Sequence, residues 1–105
     1  MAEIRWSLTA AQDLRDIEEF IAKDSPVYAV RLTDGMVEAT ERLREFPLLG
    51  RAVPEFERED LREIIYRSYR IVYLMGGTIV TILRVVHSAR DLSLLAEREP
   101  WDLIE

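Results

Sequence analysis

The chain has 105 residues, 49% of them hydrophobic, no cysteine and one histidine. That suffices for one small core, while disulfides and thiolate metal sites are excluded and neither a zinc centre nor a cofactor is expected. The net charge of −6 argues against bare nucleic acid as the main ligand, because phosphate binding needs a basic footprint.

The whole chain, 1–105, reads as a single domain, with residues 93–105 as a C-terminal tail. No run of apolar residues is long enough to span a bilayer. The opening "MAEIRWSLTAAQDLRD" is charged at positions 3 and 5 and is not a secretory signal. With cysteine absent, a cytoplasmic location is expected.

"EIRWSL" alternates and predicts a short first strand. "LTAAQDLRDIEEFIAKD" predicts a helix, with Thr9 and Gln12 at capping-box spacing. Ala10, Leu14, Ile17 and Ile21 form its apolar stripe, with Phe20 beside them. Ser25 then suits an N-cap and Pro26 a first helical position, so a second helix runs to about Phe46. Its stripe is Val30, Thr33, Met36, Val37, Thr40 and Leu43, and "FPLLGR" ends it at Pro47. So short a break between helices predicts an antiparallel hairpin.

"AVPEFERED" reads as a polar, acidic connector. After it the period changes to extended. "LREIIYR", "SYRIVYLM" and "TIVTILRVVH" predict three antiparallel strands, the last two joined at Gly76-Gly77. A two-residue turn there sets Met75 opposite Thr78, Arg70 opposite Leu83, and His87 opposite Tyr66. Arg70, Val72, Leu74, Ile79, Thr81, Leu83, Val85 and His87 then share one face. Tyr69, Ile71, Tyr73, Met75, Val80, Ile82, Arg84 and Val86 share the other.

Neither face is polar, and the helix hairpin covers only one. The second face is therefore expected to stand open and to meet a partner. The alternatives are a self-dimer, or cover by the tail "LSLLAEREPWDLIE" with Leu92, Leu94, Leu95, Trp101, Leu103 and Ile104. From Leu61 to Arg90 the chain carries five arginines and one acid, Glu63, a net of +4 against a total of −6. Arginine suits bidentate contact to carboxylate or phosphate. The order of elements makes this an α+β two-layer domain: N-terminal strand, antiparallel helix hairpin, then three antiparallel strands.

The ordered set "FP-x-x-GR-x-VPE", "LRE", "YRIVY" and "RVVHSARDL", with "IRWSLTAAQDLRDIEEFIAKDSP" before it, resembles the RelE/ParE superfamily of type II toxin–antitoxin toxins. It leans to the ParE branch. Together the matching pieces cover most of positions 4–92. The resemblance implies a toxin that arrests growth by poisoning DNA gyrase. It further implies a cognate antitoxin that folds along the open sheet face and the helices, with DNA reached only indirectly, through that antitoxin.

The RelE branch instead implies ribosome-dependent cleavage of messenger RNA. Such a site steadies a phosphate with several cations and needs a proton acceptor and donor. By this resemblance Arg70 matches the strand arginine of the cleaving toxins. Arg90 matches, with a one-residue shift, the arginine after the last strand, and His87 matches a site residue of some members. The basic residues that cleaving members carry before the second strand have no counterpart here, and no tyrosine follows Tyr73. The expected site is thus non-catalytic and metal-free, a target or antitoxin surface of Arg62, Arg70, Val72, Leu74, Leu83, His87 and Arg90. The alternatives are a ribonuclease using Arg70, His87 and Arg90, or a non-toxic binding module of the same fold. His87 is also open to an ordinary reading, as a strand-end residue satisfied by local hydrogen bonds.

Overall fold

A computed structural model describes residues 1–98. The elements run β1 (Glu3–Trp6), α1 (Leu8–Ala22), α2 (Pro26–Glu41), a 3₁₀ turn (Arg42–Arg44), β2 (Arg51–Ala52), β3 (Leu61–Tyr66), β4 (Tyr69–Gly76), β5 (Ile79–His87) and α3 (Leu92–Arg98). The five strands form one sheet in the order β1-β5-β4-β3-β2. β1 lies parallel to β5, and every other pair is antiparallel. This is the expected α+β two-layer domain, with one addition: the "polar connector" starts with the two-residue strand β2. No helix among the described residues is long and apolar enough to cross a membrane.

Ser7, not Thr9, caps α1. Its Oγ accepts the Ala10 N–H at 3.0 Å and donates to the Leu83 carbonyl at 3.1 Å, so one hydroxyl starts the helix and ties it to β5. Ser7→Ala should therefore cost about 1–2 kcal/mol, more than a cap alone, read by urea denaturation. Ser25 caps α2 as expected, accepting the Tyr28 N–H at 3.2 Å, with Pro26 in the first turn. The second helix stops at Glu41, and the chain tightens into the 3₁₀ turn before Pro47. Its buried side is Ala29, Leu32, Thr33, Met36 and Thr40. Val30 and Val37, expected in the stripe, face solvent.

The β4–β5 register differs from the expected one. Gly76 pairs with Ile79 and Met75 with Val80, so Gly77 and Thr78 make the turn, with Gly77 at φ +61. The pairing then slips. Tyr73 faces Ile82 but Val72 faces Arg84, which leaves Leu83 as an extra residue in β5. A bulge of this kind re-aims everything after it. Val85 turns to the helix side with Ile71, and Val86 turns to the opposite side with Arg70. His87 lands opposite Tyr69, not Tyr66, on the face away from Arg70. Beside the bulge, Asp13 of α1 accepts from Arg84 Nε and from the Val85 N–H, both at 2.9 Å.

Two apolar cores result. One lies between sheet and helices, with Ala10, Leu32, Met36, Leu43, Ile71, Tyr73, Val80, Ile82 and Val85. The other lies on the far face, with Val53, Leu61, Val72, Leu74, Leu83, Val86, Leu92 and Leu95. The expectation of an open second face is thereby corrected. Val53 and Phe56 of the β2–β3 loop and Leu92 and Leu95 of α3 close over it, because an apolar sheet face is stabilised by whatever apolar surface its own chain can reach. Trp101, Leu103 and Ile104, also candidates for that cover, lie outside the described residues.

Candidate functional site

Arg70 projects from β4 into the covered face and is 5% exposed. Its Nε donates to Glu63 Oε1 at 2.6 Å. Nη1 and Nη2 donate to the two oxygens of Glu55 at 2.7 and 2.6 Å, and Nη1 also reaches the Arg90 carbonyl at 3.2 Å. Glu63, buried on β3, gives its second oxygen to Arg51 Nε of β2 at 2.7 Å. The Glu55 carboxylate also accepts the Leu92 N–H at 3.1 Å, where α3 begins. Two arginines and two carboxylates thus join four segments, β2, the β2–β3 loop, the central sheet and the start of α3.

The electrostatics follow from this geometry. The Arg70 guanidinium, through its hydrogen bonds, holds the Glu55 carboxyl at about 2, well below its ordinary value and against the opposing pull of burial. The Glu55 hydrogen bonds, with Glu63 beyond them, push Arg70 up further still. A buried charge network of this kind is tolerated because each charge faces an opposite one and is hydrogen-bonded to it.

The other expected residues are distributed around it. Arg62 donates from Nε to the Gly50 carbonyl at 2.9 Å and from Nη1 to Glu59. Val72, Leu74 and Leu83 are buried under α3 and the β2–β3 loop. His87 is exposed. Its Nδ1 accepts the Ala89 N–H at 3.1 Å, and its ring stands edge-on to Tyr69 at 5.8 Å. Arg90 is exposed, and its backbone N–H bonds the His87 carbonyl at 3.0 Å. The structure therefore gathers Arg70, Val72, Leu74 and Leu83 but sets His87 on the opposite face. Glu55 and Glu63 were not foreseen as members, although an acidic "VPEFERED" beside an arginine-rich strand was a readable signal. Among the described residues no three acidic or imidazole groups are placed to hold a metal ion.

Exposed apolar side chains lie elsewhere. Phe20 of α1 and Val27, Tyr28, Val30 and Val37 of α2 are each at least 41% exposed, as are Phe46, Leu48 and Leu49 after the 3₁₀ turn. The five helix residues belong to the layer that packs on the sheet face opposite the one α3 covers.

A helix hairpin on a five-stranded sheet with a parallel N-terminal edge defines a two-layer α+β fold that solved toxins share. The structure resembles the chromosomal ParDE TA system from P. aeruginosa with a TM-score of 0.69 at 23% identity, over 83% of this chain and 96% of that one. It resembles the toxin–antitoxin complex RelBE2 from Mycobacterium tuberculosis with a TM-score of 0.59 at 29% identity, over 82% and 96%. Residues 4–92 match the family model described as the ParE toxin of the type II toxin–antitoxin system parDE. The chain belongs to this ParE toxin family and is a type II toxin. Toxin RelE2 of Caulobacter vibrioides is 32% identical over 90 residues, 86% of this chain and 99% of that protein. Putative toxin Y4kP of Sinorhizobium fredii is 33% identical over 87 residues, 81% and 86% of the two chains.

Proposed function

We propose that this toxin arrests growth by poisoning DNA gyrase in the cytoplasm, without a catalytic site of its own, and that a cognate antitoxin holds it inactive. The observation that carries the reading is Arg70. A ribonuclease needs that guanidinium facing a scissile phosphate, yet here two carboxylates occupy it. A phosphate would have to displace Glu55 and Glu63 together, leaving two anions without their partner.

The antitoxin meets the toxin first at the exposed apolar residues of the helix hairpin, as an amphipathic segment that orders on binding. Of the expected surface residues, His87 and Arg90 are open and Arg62 is partly open. Arg70, Val72, Leu74 and Leu83 become reachable only if α3 leaves. The toxin reaches operator DNA through the antitoxin.

The test uses folded toxin with gyrase, supercoiled plasmid and ATP. Linear DNA after detergent and protease, rising with toxin and abolished by antitoxin, is the expected result. No linear DNA, with messenger RNA cut in growth-arrested cells, would overturn it in favour of the ribonuclease reading. The name of the Caulobacter relative favours that second reading. Absence of growth arrest from a folded chain would leave a binding module.

A further inference from the structure

We propose that the corner of the sheet formed by the β3–β4 turn and the loop after β5 is a contact for the phosphodiester backbone of duplex DNA. This rests on the gyrase reading, and names the DNA that such a target holds as something the toxin itself touches. The two segments are stitched together. The Ser88 N–H donates to the Ser68 carbonyl at 2.8 Å, and Tyr69 pairs with His87. Arg67, Ser68, His87, Ser88 and Arg90 are all exposed there.

Three observations point to an anion. First, Arg67 and Arg90 have no carboxylate partner among the described residues, whereas Arg5, Arg44, Arg51, Arg58, Arg62, Arg70 and Arg84 each have one. Second, Arg67 takes φ +52, the one non-glycine residue with positive φ among those described. Glycine or asparagine suits that turn position better, and the Arg67 guanidinium lies over the Tyr66 ring, 5.8 Å from its centroid, at the tip of the turn. Third, the corner presents donors. With Nδ1 of His87 accepting from Ala89, Nε2 is left as the ring's donor. The serine hydroxyls add two more. The nearest acid in sequence, Asp91, is turned to the start of α3, accepting the Ser93 N–H at 2.9 Å and the Leu94 N–H at 3.4 Å.

Other arginines without a carboxylate partner among the described residues, Arg15, Arg31 and Arg42, sit in the helices and the 3₁₀ turn among many acids, so an acidic chain presents its more favourable potential to DNA at this corner. Two phosphate contacts give weak binding by themselves. They serve as an adjunct to a protein–protein contact and orient the toxin on a DNA-loaded target.

The test is an NMR titration of the folded toxin with a short B-form duplex, following the arginine Nε–H signals. Arg67 and Arg90 should shift saturably while Arg15, Arg31 and Arg42 stay in place. Affinity should fall about tenfold between 50 and 200 mM salt, the dependence of roughly two neutralised phosphates. An Arg67→Ala, Arg90→Ala double variant with an unchanged amide spectrum should bind at least tenfold more weakly. No shift, shifts spread over the helix-layer arginines, equal shifts with a glutamate peptide, or undiminished binding by the variant would each overturn the proposal. The gyrase assay is read separately. Wild-type toxin that yields no linear DNA refutes the gyrase reading, and wild type and double variant that poison equally refute this contact alone.

Discussion

Arg70→Ala is expected to cost about 3 kcal/mol of stability at neutral pH, because it leaves the fully buried Glu63 paired with the largely exposed Arg51 and releases Glu55. Urea denaturation followed by circular dichroism reads it directly. The gap between variant and wild type should narrow as pH falls, because the Glu55 contribution that the variant lacks is itself lost there. The folded Glu55 carboxyl, at about 2, lies below its ordinary 4.5, so folding weakens its hold on the proton. The stability this supplies is complete above pH 4.5 and drains away as pH falls toward 2. It amounts to roughly 3 kcal/mol at full strength. Glu55→Gln should flatten that part of the pH profile. A variant of Arg70 that keeps wild-type stability would show that the four-charge network contributes nothing. Loss of toxicity in Arg70→Ala is evidence for a site residue only when the variant is shown to be folded.

Gly50→Ala is expected to be nearly as damaging. An added Cβ would run into the backbone carbonyl oxygen of Glu63 and lie 2.7 Å from the Tyr73 hydroxyl. Neither neighbour is free to yield. The carbonyl belongs to β3, and Tyr73 is fully buried, its hydroxyl donating to the Pro47 carbonyl at 2.7 Å and accepting the Gly50 N–H at 3.0 Å. Overpacking at such a site costs about 2–3 kcal/mol. Tyr73→Phe removes the two hydrogen bonds without the clash and should cost about 1–2 kcal/mol. If Gly50→Ala proves milder than Tyr73→Phe, the loop from Pro47 to Arg51 is more pliable than its packing implies. Thermal unfolding of the two variants side by side decides it.

The helix hairpin was legible because its punctuation is local: Ser25 and Pro26 sit three residues from anything they need. The Ser7 cap was not, since a serine that follows "EIRW" reads as the end of a strand. Gly76-Gly77 marked the β4–β5 hairpin correctly, but the turn sits one residue further on, and the bulge at Leu83 has no signature in the sequence. Period-two counting therefore fails at Val85, Val86 and His87, and with it the pairing of His87 with the Arg70 face. Closure of the second face depended on Leu92 and Leu95, three residues apart, folding back across a sheet whose length only the structure gives. Arg70 was readable as a special residue, but its neutralisation by Glu55 and Glu63 required knowing that an acidic loop and two strands converge.

The place of β1 in the sheet has a consequence for synthesis. Among the described residues its one strand neighbour is β5, so residues 3–6 have no strand to pair with until residues 79–82 have been made. Both helices of the hairpin are synthesised before the strand that ties β1 into the sheet, and such non-local pairing slows folding. A nascent chain that stalls anywhere before Ile79 carries an orphaned first strand and an incomplete core. The polypeptide therefore becomes a working toxin late in translation, which leaves most of the time of its synthesis for a waiting antitoxin to be at hand.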